Sequence, residues 1–236
     1  LEDLGFEQQE IFDRMKFLPL NPFRAVYNYT NMGLTAGAEA VAAAAGTDWA
    51  TLSERSIYAP LGMTATSSRF SDYHANTDRA VGHVQTDGGY AAKYVRDADP
   101  ESPAGGVSSS VNDVATWLAM VLRGGTAADG TAVVDPAALR AALTPVMRSA
   151  DGSPVPAQID ARTSFYGYGF GVATDNTGRV ELSHSGAFAL GFGTSFLAIP
   201  GLDLGIVVLT NAAANGPAEA LTHQFADIAK LGAVQL

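Results

Sequence analysis

The stretch Leu182–Asn211, LSHSGAFALGFGTSFLAIPGLDLGIVVLTN, constrains this chain more than any other. Phe192, Thr194, Phe196 and Ala198 alternate with Gly193, Ser195, Leu197 and Ile199, as in a strand packed on both faces. Pro200-Gly201-Leu202-Asp203 supplies a turn, and Ile206-Val207-Val208-Leu209 is a β-branched run expected to be a central strand. A hairpin this apolar belongs in a core with helices over it. At its front, His184-Ser185-Gly186-Ala187 is expected to end a strand, Val180 to His184, before the small residues 189–193. A strand edge with free N–H groups beside a histidine can hold a polarised carbonyl. Gly186 would let a substrate or another chain approach the backbone. The plainer alternative is a strand end carrying a surface histidine.

The rest of the chain reads as helices and loops leading to that sheet. Residues 1–18 are helical in pattern, with Leu4, Ile11, Met15 and Leu18 roughly on one face, and Pro19 and Pro22 end the run. An Ala-rich helix is expected from Met32 to Ala45, stopped by Gly46. Thr47-Asp48 caps a helix expected to stop before Pro60. Residues 64–104 are polar and irregular, and Pro103 to Gly106 reads as a tight turn. Ser110-Val111-Asn112-Asp113 has the form of a capping box. Its helix carries Val111, Val114, Ala115, Leu118 and Leu122 on one expected face. Asp135-Pro136 opens a further helix, and residues 144–163 read as a loop. Tyr166 to Val172 alternates large residues with glycine and is expected to be one strand with a bare face. Pro217 starts a closing helix with Leu221, Phe225 and Ile228 inward, ended by Gly232. Helices followed by antiparallel strands and a covering helix make an α+β layout.

Composition narrows the function classes. The net charge of −10 argues against nucleic acid and anionic membrane surfaces as partners. No apolar run approaches a membrane span, and no signal peptide opens the chain. Without cysteine there is no thiol nucleophile, disulfide or cysteine metal site, and secreted, periplasmic and cytoplasmic settings stay open. His74, His83 and His223 lack zinc-ligand spacing, so no metal is expected, and no phosphate loop or dinucleotide fingerprint implies a cofactor. Trp49 and Trp117 are expected in the core.

Five elements in order resemble the class C β-lactamase group of serine hydrolases, which includes D-alanyl carboxypeptidases, D-aminopeptidases and family VIII esterases. Tyr29-Thr30-Asn31 is similar to its Tyr-x-Asn motif, and Ala59-Pro60-Leu61-Gly62-Met63-Thr64 to its Pro-Leu-Gly-Met turn. Ser102 to Trp117 is similar to its Pro-Ala-Gly-Gly-x-x-Ser segment and following helix. His184-Ser185-Gly186 is similar to its Lys-Thr-Gly element, and Gly191 to Asn211 to its last two strands. The resemblance implies a β-lactamase/transpeptidase-like fold: an antiparallel sheet flanked by helices, with a largely helical region. Residues 1–236 would be the C-terminal part of one such domain. Residues 1–163 would be mostly helix and loop, and 164–236 strands plus the closing helix.

The resemblance also implies site roles. Tyr29 would be the general base or proton shuttle, which needs a neighbouring cation because an unperturbed tyrosine has a pKa of about 10. Asn31 would hold a substrate amide or the lysine, its alternative being a helix N-cap. His184 would donate to Tyr29 or to a substrate carboxylate. Ser185 and Gly186 would line the substrate, and the Ala187 N–H would serve the oxyanion hole.

The family's nucleophile lies in Ser-x-x-Lys, and these residues do not contain it. Asp13, Tyr90 and Asp227 stand three positions before the three lysines, Lys16, Lys93 and Lys230. No Gly-x-Ser-x-Gly elbow replaces it. Leu1-Glu2-Asp3 reads as the middle of a helix, so an upstream or complementary segment, or a second chain, is expected as a partner. The leading expectation is a serine hydrolase that forms an acyl-enzyme on a small-molecule or peptide ester, β-lactam or D-amino-acyl amide. Histidine in place of lysine tilts it towards esterase or D-peptidase. The alternatives are a non-catalytic binding module of the same fold, and a scaffold subunit pairing with a chain that bears Ser-x-x-Lys.

Overall fold

A computed structural model describes residues 34–149, 164–175, 177–188, 190–212 and 216–234. The expected helix over residues 1–18 and the Tyr29-Thr30-Asn31 motif lie outside them. Helix α1 is described over residues 34–44, and Gly46 follows it at φ 71°. Helix α2, Trp49–Ser53, is capped by Asp48, whose carboxylate accepts the Thr51 N–H at 2.9 Å. The helix does not stop before Pro60. It widens into a π-helical turn at Glu54–Tyr58 and ends in Ala59–Leu61. Ala59 N–H reaches Glu54 O and Met63 N–H reaches Tyr58 O, five residues back. The slack of that wider turn accommodates the proline ring.

The expected irregular segment holds short pieces: α3 (Phe70–Ala75) and the hairpin β1 (Val84–Thr86) with β2 (Gly89–Ala91). The expected tight turn at Pro103 is one helical turn, α4 (Ser102–Gly105). Helix α5, Val111–Leu122, starts at Ser110, whose hydroxyl accepts the Asp113 N–H at 3.2 Å. The Asp113 carboxylate does not return to the cap. It accepts Ala65 N–H at 2.8 Å and the Thr66 hydroxyl at 2.7 Å, tying α5 to the loop after α2. The buried face of α5 is Leu118, Met120 and Val121, while Val111 is 48% exposed. Leu118 and Leu122 of the expected face do lie in the core, and the buried residues of α5 all fall in its C-terminal half. There Leu118 presses on Gly205: a Cβ added at 205 would come within 2.8 Å of its Cδ2. Helix α6, Pro136–Ala142, is capped by Asp135, which accepts the N–H groups of Ala137 and Ala138.

The main sheet is antiparallel throughout, in the order β3 (Met147–Arg148), β4 (Phe165–Tyr166), β5 (Gly171–Thr174), β6 (Val180–Phe188), β7 (Phe192–Ile199), β8 (Leu204–Thr210). Tyr166 to Val172 is not one strand. The chain turns at Gly167–Phe170, with Gly167 N–H donating to Phe170 O at 2.8 Å and Gly169 at φ 88°. A Cβ at Gly167 would collide with the Ala142 and Thr144 carbonyls, so that glycine marks a close crossing and not a strand face. Among the described residues the apolar run of β8 pairs with β7. Its apolarity comes from helices on both faces, α5 packing on one and α7 (Pro217–Leu231) on the other.

Helix α7 is rotated from the expected orientation. Ala218, Thr222 and Ala226 face inward, whereas Leu221 and Ile228 are 51% and 53% exposed. Small inward residues let α7 lie close on Ser195, Leu197 and Ile199 of β7, where larger ones would hold it off. Gly232 ends α7 at φ 77°.

Candidate active site

Strand β6 carries the whole His184-Ser185-Gly186-Ala187 element within its length. It continues to Phe188 and does not stop at His184. The register pairs His184 with Phe196, Gly186 with Thr194 and Phe188 with Phe192. Directly opposed residues share a face, so His184 stands on the face that carries Phe196.

That face is a row of rings. Trp117 of α5 stacks on Phe170 at 5.8 Å and meets Phe196 edge-on at 5.3 Å. Phe170 lies 5.8 Å from Phe196, and Phe196 stacks against His184 at 6.3 Å and 20°. Tyr166 closes the row, 6.1 Å from His184. The row climbs from the core, where Phe170 is buried, to the exposed His184. The outer edge of His184 is open, but aromatic packing strips water from the ring and lowers its pKa below the usual 6.5. His184 is therefore neutral at neutral pH, with one ring nitrogen to donate and one to accept. Burial likewise raises the Tyr166 pKa, so its hydroxyl keeps its proton.

The backbone of β6 supplies a second feature. Phe188 O accepts Gly191 N–H at 2.9 Å, so the polar backbone groups of Phe188 face the β7 hairpin. Backbone polarity alternates along an antiparallel strand, which turns Ser185 and Ala187 to the opposite edge. Strand β5 pairs with β6 only from Val180 to Ser183, and among the described residues no strand lies beside Ser185 and Ala187. Two N–H donors thus sit on an open edge next to His184. At Gly186 an added Cβ would meet only Thr194 Oγ1, at 3.5 Å, so the glycine leaves open space and relieves no clash. The Ser185 side chain, one residue out of phase with His184, belongs to the α7 face.

Two further groups border this edge. Phe188 lies under the Arg96 guanidinium at 4.3 Å, and Arg96 donates to Glu101 at 2.9 Å. Gly105 abuts the same ring: a Cβ there would be 3.1 Å from Phe188 Cζ. The Ser102-to-Gly106 segment is thereby brought to the end of β6, although far from it in sequence. Lys230 does not join the site. It donates to Glu181 at 2.6 Å and lies 3.7 Å from Asp175, on the α7 side of the sheet.

The structure thus places His184, Ser185, Gly186 and Ala187 in one strand, with donors and ring at its open edge. Tyr29 and Asn31 lie outside the described residues. Sequence reasoning missed Tyr166 and Phe196 as partners of His184. Phe196 was recoverable from the hairpin register, whereas Tyr166 was hidden in a glycine alternation read as a strand. Among the described residues no three His, Asp or Glu side chains gather as a metal site, and no helix is long and apolar enough to cross a membrane.

Comparison with known proteins finds the same fold elsewhere. The octameric penicillin-binding protein homologue from Pyrococcus abyssi superposes with a TM-score of 0.62 at 22% identity, covering 80% of this chain and 39% of that one. A D-stereospecific amidohydrolase from Streptomyces sp. gives a TM-score of 0.60 at 16% identity, covering 80% of this chain and 50% of that one. The unguisins hydrolase ungD of Aspergillus violaceofuscus (strain CBS 115571) is 29% identical over 123 residues, 47% of this chain and 21% of that protein. The chain therefore spans half or less of the length of each of these relatives. The α+β fold is that of the β-lactamase and penicillin-binding-protein group. A family model, Beta-lactamase, matches residues 1–230, and the chain belongs to that family.

Proposed function

We propose that this chain supplies the Tyr29, Asn31 and His184 side of a serine hydrolase site. The serine and lysine of Ser-x-x-Lys would come from a complementary segment or a second chain. Residues 1–236 then act as the C-terminal part of one catalytic domain. The observation that carries this reading is the open edge of β6, where the Ala187 N–H lies free beside His184.

The reaction is acyl transfer to serine followed by hydrolysis, on an ester or a D-amino-acyl amide in preference to a β-lactam. Tyr29 relays the serine proton, and Asn31 holds the substrate amide. His184 hydrogen-bonds Tyr29 or the substrate, while Ser185 and Gly186 leave a channel along the strand. The Ala187 N–H receives the developing oxyanion, where a single donor is worth about 10²–10³ in rate. The unguisins hydrolase relative supports a hydrolase, and the D-stereospecific amidohydrolase supports an amide substrate.

Tyr29→Phe in the protein with its full complement of chains should lower kcat about 10²-fold or more, the usual scale of a lost proton relay. Unchanged turnover would remove Tyr29 from the mechanism. A non-catalytic binding module of the same fold is the second reading, and failure of a fluorophosphonate to label the protein with its full complement of chains would favour it.

A further inference from the structure

The row of rings ends at the proposed site, and its outer members are unlike what a carboxylate needs. Tyr166 is 41% exposed and lies 6.1 Å from His184. Met147, paired with Tyr166 across β3 and β4, and Tyr168, two residues on, are each 69% exposed. Apolar surface thus continues outward from the histidine. Each ring contact described for His184 is aromatic: Tyr166 on one side, Phe196 on the other.

We infer that Tyr166, with His184 and Phe196, forms a wall that takes a neutral aromatic or apolar group of the substrate and disfavours a carboxylate there. This rests on the site proposed above and adds Tyr166 as a specificity-determining residue. An apolar group packed on these rings leaves water on both sides and gains the edge contacts that aromatic pairs prefer. A carboxylate in the same place would lose hydration against rings. The side-chain donors of the wall itself, the Tyr166 hydroxyl and the His184 ring, are both uncharged at neutral pH. Lysine in place of the histidine would reverse that preference.

Two probes differ only in the group at issue: N-benzylacetamide ends in a phenyl ring where N-acetylglycine ends in a carboxylate. Each is titrated at pH 7.5 into the protein as purified, with all its chains, while the His184 ring resonances are followed by NMR. N-benzylacetamide should shift them saturably, with a Kd at least tenfold below that of N-acetylglycine. Tyr166→Ser should weaken N-benzylacetamide about tenfold, Tyr166→Phe should retain it, and His184→Lys should favour N-acetylglycine. Equal or tighter binding of N-acetylglycine, no shift of His184 with either probe, or no effect of Tyr166→Ser overturns the inference. Fluorophosphonate labelling separates it from the hydrolase reading. Labelling without the preference refutes the wall alone; the preference without labelling refutes the hydrolase alone.

Discussion

The two faces of the β6–β8 hairpins are built from similar strands but sealed in opposite ways. On the α7 face, small and polar residues meet: Thr222 and Ser195 hydroxyls lie 3.1 Å apart, fully enclosed. Lys230 reaches across to Glu181 and Asp175 at the strand ends. On the α5 face, Leu118 and Trp117 seal the lower half with apolar and aromatic packing. Its upper half, from His184 to Phe188, meets the single turn α4 at Gly105 and the Arg96 guanidinium at the Phe188 ring, while the His184 edge stays exposed. A covered face can be tuned for stability alone. The half-covered face keeps a strand edge and a ring at the boundary of core and solvent, where the proposed site lies. Helices set on both sides of one sheet thus leave one end of β6 sealed and the other accessible.

This contrast can be broken first on the sealed side. Leu197 is 2% exposed between β7 and α7, so Leu197→Ala should cost about 2–5 kcal/mol, read by denaturant unfolding. The same change at Phe188, at the site end of β6, should cost stability too, but it should also disturb the Ala187 edge and turnover. Lys230→Met leaves Asp175 and Glu181 without their cation. The Asp175 carboxyl is held low against the opposing effect of burial, by the Thr177 hydroxyl, the Arg179 and Thr177 N–H groups, and Lys230. Loss of the cation should destabilise by about 1–3 kcal/mol and raise the Asp175 pKa by NMR. Thr222→Val strips the Ser195 hydroxyl of its enclosed partner and should cost about 1–2 kcal/mol in the same unfolding assay.

The smallest effect belongs to the open face. The folded-state pKa of His184 lies below 6.5, its ordinary value. As pH falls through 6.5 the unfolded chain takes up a proton that the folded chain refuses, so the His184 contribution to stability is full above 6.5 and declines below it. An NMR titration should find the pKa below 6.5, and Phe196→Ala should move it back up. A wild-type value at or above 6.5 would contradict the aromatic burial of the ring.

Much of this was legible in the sequence, for reasons that differ by residue. The β7–β8 hairpin announced itself because strand alternation and the Pro200-Gly201 turn are local signals. The caps at Asp48, Ser110 and Asp135 were equally local. Helix orientation was not. Leu221 and Ile228 read as inward because they are apolar, yet the close approach of α7 to β7 selects Ala218, Thr222 and Ala226. The turn at Gly167 was hidden because a glycine alternation suits either a bare strand face or a crossing under two carbonyls. At the site, His184 to Ala187 stood out through the family resemblance. Tyr166 needed tertiary structure, since β4 reaches β6 only through the β5 turn.

The proposed hydrolase needs a nucleophile on a segment other than these 236 residues. The most direct test is denaturing intact-mass spectrometry of the purified protein after treatment with a fluorophosphonate. The account predicts a single phosphonyl adduct on a polypeptide segment that carries Ser-x-x-Lys and co-purifies with residues 1–236. An adduct on these 236 residues, or unmodified protein throughout, would contradict it.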